Sequence, residues 1–333
     1  MLIPIAISFV LTLLVLPRWI KKCESIGLLW EDMNKYGHPK NVASSGGIVV
    51  VVCFVFGVFS YIALRTFVFN DIGFNLEIFS LLSVILILAV IGLTDDLLGW
   101  RNGGLSVRLR LFLILFASVP LVVINAGYHI VDVPFIGIMD FGIWYPFFFI
   151  PLGIIGATST YNFLAGFNGL ESSQGIIILS FLSLVAYLMG NEWLGLIGLC
   201  MVFVLLAFYI FNKYPAKVFP GDILTYSVGA LIAIMAILGN FERIAVVVFI
   251  PYILETILKL RGGLKIQSFG TPNEDGTLSL PYDKFYSLNH VAIYILQKYK
   301  TKVYEKDVVY LINLFQIVIV VVAFFLFKNS ILN

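Results

Sequence analysis

Asn162-Phe-Leu-Ala-Gly-Phe-Asn168-Gly-Leu-Glu171 is a polar, glycine-punctuated stretch caught between two apolar runs, 141–157 upstream and 175–189 downstream. Each run is nearly long enough to cross a bilayer, so the stretch between them belongs at the water interface. Two carboxamides, two glycines and a carboxylate gather there. A single Gly or Asn-Gly pair would suffice to turn the chain. The surplus of polar chemistry marks the stretch as a candidate site at a membrane surface; a capped loop between helices is the plainer reading.

The rest of the composition agrees with a membrane setting. With 333 residues, 60% hydrophobic and only 12% charged, the chain lies outside the soluble globular range and inside the polytopic class. A net charge of +2, without a basic tract interleaved with aromatics, excludes nucleic acid as a partner and leaves membrane lipid. Of the three cysteines, Cys53 and Cys200 sit inside apolar runs and Cys23 stands apart, so neither a disulfide framework nor a thiolate metal site is indicated. The first run, 2–16, has no basic flank before it and no small-residue cleavage site, and Arg18, Lys21 and Lys22 follow it. It reads as a retained span with its N-terminus outside.

The expected fold is therefore all-α, a single polytopic domain over 1–333 with about ten transmembrane helices. The predicted spans are 2–20, 46–64, 78–93, 109–124, 141–157, 175–189, 193–211, 223–238, 244–260 and 308–327. Alternating sides from an outside N-terminus leaves only Arg65, Arg243 and Lys328 of the 21 basic residues on the outer face. That asymmetry is what the positive-inside rule demands, and it puts both termini on the non-cytoplasmic side. Every chemically rich loop then falls on the inner face. In the last inner loop, 261–306, the Asn273-Glu-Asp-Gly276 turn between extended runs predicts a small hairpin. His290 in that loop is a lone histidine and reads as structural.

Three clusters carry the chemistry. Thr94-Asp95-Asp96 ends the third run, with Arg101, Arg108 and Arg110 close behind. Adjacent carboxylates repel unless a cation stands nearby, and such a pair can hold Mg²⁺ or take a proton; a solvated acidic helix end has the same sequence. Asn162 and Asn168 are too far apart for one helical turn, so they serve different partners. A carboxamide is a neutral oxygen ligand for Mg²⁺ and can also read a base edge, while Gly166 and Gly169 let backbone approach a phosphate. Phe219-Pro-Gly-Asp222 opens the eighth run, with Asp222 expected as the N-cap of that helix or as a further metal carboxylate, or both. These groups converge on one interface, where a nucleotide donor could meet a lipid phosphate. The spans are almost free of ionisable residues at mid-depth, which weighs against the alternative, a membrane transporter for a phosphorylated or nucleotide-linked solute.

At these residues the sequence resembles the polyprenyl-phosphate N-acetylhexosamine-1-phosphate transferases, and most of all the archaeal and eukaryotic dolichyl-phosphate branch. Asp32-Met-Asn34-Lys35 looks like that family's Asp-Leu-Asn-Lys loop, Thr94-Asp95-Asp96 like its aspartate pair, and Asn162 to Glu171 like its Asn-Ile-Leu-Ala-Gly-Ile-Asn-Gly-Leu-Glu signature. Phe219-Pro-Gly-Asp222 resembles its Phe-Val-Gly-Asp motif. The resemblance implies ten spans in a cell membrane or endoplasmic reticulum, a cytoplasmic active site, and Mg²⁺-dependent transfer of GlcNAc-1-phosphate from UDP-N-acetylglucosamine to a polyprenyl or dolichyl phosphate. UMP leaves and lipid-linked oligosaccharide synthesis begins. Mn²⁺ could replace Mg²⁺, and a homodimer fits the resemblance. Carried over by position, Asn162 and Asp222 would bind the metal, with Asp95, Asp96 and Arg110 catalytic. Asp32, Met33, Asn34, Lys35, Asn168, Gly169 and Glu171 would hold the nucleotide sugar. The family's Arg-His-Arg motif is absent from the last loop, where Arg261 and Lys265 are the available cations.

Overall fold

A computed structural model describes residues 2–133 and 137–332, and the chain is mainly helical. Helix α1 (Leu2–Ile26) leads into an antiparallel pair, β1 (Leu29–Glu31) and β2 (Lys40–Ala43), followed by α2 (Gly47–Phe67) and α3 (Asn75–Asn102). Helices α4 (Val107–Ala117) and α5 (Val119–Val123) precede a second pair, β3 (Ile130–Val133) and β4 (Gly137–Asp140). A π-helical turn over Tyr145–Phe149 runs into α6 (Ile150–Phe163). Then come α7 (Leu170–Leu188), α8 (Glu192–Asn212), α9 (Gly221–Gly239), α10 (Glu242–Val248) and α11 (Ile250–Arg261). A third pair, β5 (Thr271–Pro272) and β6 (Leu278–Ser279), leads to α12 (Leu288–Tyr299), α13 (Glu305–Leu326) and the short α14 (Lys328–Leu332).

Among the described residues seven helices are long and apolar enough to cross a membrane: α1, α2, α3 over Asn75–Gly99, α7, α8, α9 and α13. Each matches a predicted span. The other three predicted spans, 109–124, 141–157 and 244–260, are broken in two, and proline stands at every break. Pro120 follows the gap between α4 and α5, Pro146 and Pro151 mark the π turn and the start of α6, and Pro251 opens α11. Proline removes a backbone donor and clashes with the preceding turn. The all-α expectation also needs correcting in detail. The hairpin around Asn273 to Gly276 is present as β5 and β6, but β1–β2 and β3–β4 are additional, and α12 occupies part of the 261–306 segment expected as a loop. Ser287 announces α12, its hydroxyl accepting from Asn289 N at 3.2 Å as an N-cap.

Helix α9 is the hub. Of its apolar window 83% is buried, against 28% for α13 and 33% for α1, and it packs on α2, α3, α6 and α7. The outer helices turn large apolar side chains outward, Leu14 at 55% and Phe325 at 69% exposure among them. In water so much exposed apolar surface would drive aggregation, whereas hydrocarbon solvates it. The protein is integral to a membrane.

Candidate active site

The site begins where α3 crosses α9. A Cβ on Gly92 would stand 2.6 Å from Ile223 N and 2.7 Å from Asp222 carbonyl carbon, so only glycine lets the two backbones approach this closely. Asp96 lies one turn further along the same face of α3. Its Oδ1 accepts from Asp222 N at 2.8 Å, satisfying a free N–H at the positive end of α9. This corrects the expected cap. Pro220 holds the N-cap position, Asp222 is inside the first turn, and the capping carboxylate comes from another helix. Gly221 between them adopts φ +69°, and a side chain there would run into the Asp96 carboxylate.

Two further elements complete the cluster. From the last turn of α6, Asn162 Nδ2 donates to Asp222 Oδ1 at 3.1 Å, which leaves the carboxamide oxygen free for a ligand. From the first turn of α4, Arg110 Nη1 reaches Asp95 Oδ2 at 3.0 Å and Asp222 Oδ2 at 3.6 Å. Asp95 is held besides by Leu105 N at 2.5 Å and the Tyr226 hydroxyl at 3.4 Å. Asp95 therefore orients Arg110 and the turn after α3, whereas Asp96 Oδ2 is buried with no hydrogen-bond partner among the described residues. Of the three carboxylates in the cluster, Asp95 and Asp222 share the Arg110 guanidinium and Asp96 does not, an excess of negative charge that favours a bound cation.

The donor set fits Mg²⁺ or Mn²⁺. Asp222, the orphaned oxygen of Asp96 and the Asn162 carboxamide are hard oxygens within one cluster. Among the described residues no three His, Cys, Asp or Glu side chains form a ready-made cage. Magnesium needs none, since it takes one or two carboxylates and fills its octahedron with water and substrate phosphate.

Two cavities, about 340 Å³ and about 430 Å³, adjoin at this cluster. Asn162, Ala165, Gly166 and Phe269 line both. The first holds Asp95, Asp96 and Asp222 with Trp30, Met33 and Phe219, so it pairs a phosphate-and-metal end with flat apolar surface. The second is flanked by three cations, Arg110, Lys259 and Lys265, and by apolar side chains of α4.

The remaining predicted residues divide. Met33 and Glu171 line the first cavity and Lys265 the second. Asp32, Asn34, Lys35 and Asn168 stand one layer behind the wall: Asn168 Nδ2 donates to Asp32 Oδ2 at 3.2 Å, and Asn34 Nδ2 to Gly166 O at 2.8 Å. Glu171 accepts from Gly166 N at 2.8 Å, closing the turn over the first cavity. Gly169 precedes α7 at φ +85°. Arg261 and Arg108 are exposed and line neither cavity, and the side chain of Arg101 lies outside the described residues. Sequence reasoning passed over Trp30, Lys259, Phe269 and Glu305. Glu305 alone carried a signal, as a carboxylate at the mouth of an apolar run.

A model of glycosyl transferase family 4 matches residues 78–240, which take in Asp95, Asp96, Arg110, Asn162 and Asp222. A Saccharolobus solfataricus protein, named provisionally as a UDP-N-acetylglucosamine–dolichyl-phosphate N-acetylglucosaminephosphotransferase, is 36% identical over 294 residues, covering 88% of this chain and 87% of its own length. The Dictyostelium discoideum protein of that name is 30% identical over 281 residues, 73% of this chain and 67% of its own. The phospho-N-acetylmuramoyl-pentapeptide-transferase of Streptococcus pneumoniae is 29% identical over 276 residues, with 78% and 82% covered. On the strength of that similarity across most of its length, this chain belongs to glycosyl transferase family 4.

Proposed function

We propose that the protein transfers N-acetylglucosamine-1-phosphate from UDP-N-acetylglucosamine to a polyprenyl phosphate of the dolichyl type, releasing UMP and starting a lipid-linked oligosaccharide. The observation that carries this reading is the meeting of Asp95, Asp96, Arg110, Asn162 and Asp222, from four separate elements, at the junction of two cavities. The names of the archaeal and Dictyostelium relatives support the same donor and acceptor. Nothing in the comparisons favours a transporter.

The first cavity takes the nucleotide sugar, with the uridine against Trp30, Met33 and Phe219 and the diphosphate toward Asp222. The acceptor phosphate enters the second cavity between Arg110, Lys259 and Lys265, its chain running out along the apolar side chains of α4. An acceptor phosphate oxygen attacks the β-phosphorus of the donor as the bond from that phosphorus to the UMP oxygen breaks. Arg110, held by Asp95, faces the charge that develops during transfer, a preorganised donor of the kind that lowers such barriers most. Asn162, Asp222 and Asp96 would hold Mg²⁺, or Mn²⁺. When bound, the ion polarises phosphoryl oxygen and offsets charge on the departing UMP.

The chain passes the membrane about ten times, counting the three proline-broken segments, with both termini on the non-cytoplasmic side and the site facing the cytoplasm. The distribution of Lys and Arg supports that orientation. The purified full-length protein, given UDP-GlcNAc, Mg²⁺ and a polyprenyl phosphate, is expected to release UMP and form a lipid diphosphate sugar, and to stop when the ion is chelated. Uptake of intact UDP-GlcNAc into sealed vesicles with no UMP formed would sink the proposal in favour of transport.

A further inference from the structure

Glu305 opens α13 and is 1% exposed, yet among the described residues its side-chain bonds all go to other elements. One carboxylate oxygen accepts from Asn168 N at 2.7 Å and from Asn34 Nδ2 at 3.4 Å; the other pairs with Lys35 Nζ. Lys35 in turn stands 3.5 Å from Asp32 Oδ2, which accepts from Asn168 Nδ2 at 3.2 Å. Glu305, Lys35, Asp32 and Asn168 thus close a ring that joins two loops far apart in the chain. Asn34 extends it, donating to Gly166 O at 2.8 Å and accepting from Gly270 N at 3.3 Å.

A carboxylate this buried is costly unless paired and hydrogen-bonded, and Glu305 is both. The start of α13 does not need it. Asp307 caps that helix, accepting from Tyr304 N at 3.0 Å. What Glu305 holds is the back of the first cavity: Met33, Gly166 and Phe167 line it, and each adjoins or bonds a residue that Glu305 grips. Lys35 is a member of this ring. Its ammonium neutralises Glu305 and lies 4.1 Å from the centre of the Tyr214 ring.

We propose that Glu305 is a positioning residue for the nucleotide donor, holding the 32–35 and 166–169 loops in the register that shapes the first cavity. The proposal rests on reading that cavity as the donor site.

Steady-state kinetics of the full-length protein provide the test. Glu305→Ala is expected to raise KM for UDP-GlcNAc about tenfold, with kcat and the polyprenyl-phosphate KM within about threefold of the parent. Glu305→Gln, which keeps an acceptor for Asn168 N, should recover most of that loss. Glu305→Asp keeps the charge but shortens the reach, and should raise the donor KM at least about threefold; it serves where the alanine variant does not fold. Asp307→Asn, which loosens the α13 cap without touching Asn168, should leave the donor KM unchanged. Stabilisation of the protein by UDP-GlcNAc without acceptor, read as a shift in thermal midpoint, reports donor binding independently of turnover. If the parent binds UDP-GlcNAc but transfers nothing, the functional reading fails while this proposal is still decided by the shift in the variants. An unchanged donor KM and midpoint shift in Glu305→Ala or Glu305→Asp overturns it, as does an equal effect from Asp307→Asn.

Discussion

Asp222 meets Asn162 on one side, at 3.1 Å, and Arg110 on the other, at 3.6 Å. Each of these side chains sits where one missing atom leaves a partner stranded. Asp222→Ala and Asn162→Ala are expected to lower transfer by about 100-fold or more while the protein still folds, since each would remove an oxygen from the proposed metal site. UMP release alongside thermal midpoints decides this; more than a tenth of parental activity in both variants would refute the assignment. Arg110 tests charge against geometry. Its guanidinium reaches two carboxylates at once, so a lysine should retain part of the activity and an alanine lose about 100-fold. Equal losses would mean that its charge is not what it contributes.

Elements carry the next set of constraints. The α3–α9 crossing depends on Gly92, because a methyl group there would press on backbone and not on a side chain that could swing away. Gly92→Ala should cost about 1–3 kcal/mol of stability by overpacking and reduce transfer by more than unfolding accounts for, as Asp96 is drawn off Asp222 N. Unchanged kcat in that variant would show the crossing to be slack. Helix α12 is held differently. His290 is 1% exposed, its Nδ1 accepts from Tyr286 N at 3.3 Å, and its other ring nitrogen meets Phe269 O at 3.2 Å. Burial pushes its pKa down from 6.5 to about 4. A group depressed in the folded state is protonated first in the unfolded one, so stability is full above about pH 6.5 and drains away as pH falls toward 4, by on the order of 3 kcal/mol. Thermal midpoints across that window should fall in the parent and flatten in His290→Gln. Because Phe269 walls both cavities, the acid loss should reach the site as well.

At the scale of the whole molecule, the outer helices show apolar side chains such as Leu14 and Phe325 to their surroundings, as a bundle solvated by hydrocarbon does. Lys217 and Glu192 flank α8, and both are exposed. Cysteines introduced there, Lys217→Cys and Glu192→Cys, should react with an impermeant reagent from opposite sides of sealed vesicles, Lys217→Cys from the cytoplasmic side. Labelling of both from one side would overturn the orientation. The native cysteines are buried and should stay silent.

The sequence by itself determined the membrane class, seven continuous spans and the polar interruptions at Asp95, Asp96, Asn162 and Asp222. Hydrophobic runs of bilayer length are a local property, and a carboxylate or carboxamide at the end of one stands out against its neighbours. Prolines in the runs were equally visible, though their effect in splitting three spans was not read from them. Only the tertiary structure decided which groups meet. It set Asp96 as the cap of α9, brought Lys259 and Phe269 to the cavities, placed Asn168 behind the wall, and turned Glu305 away from its own helix. Those outcomes follow from how closely α3 and α9 cross and from loops pairing across most of the chain's length, and no local window of sequence contains either distance.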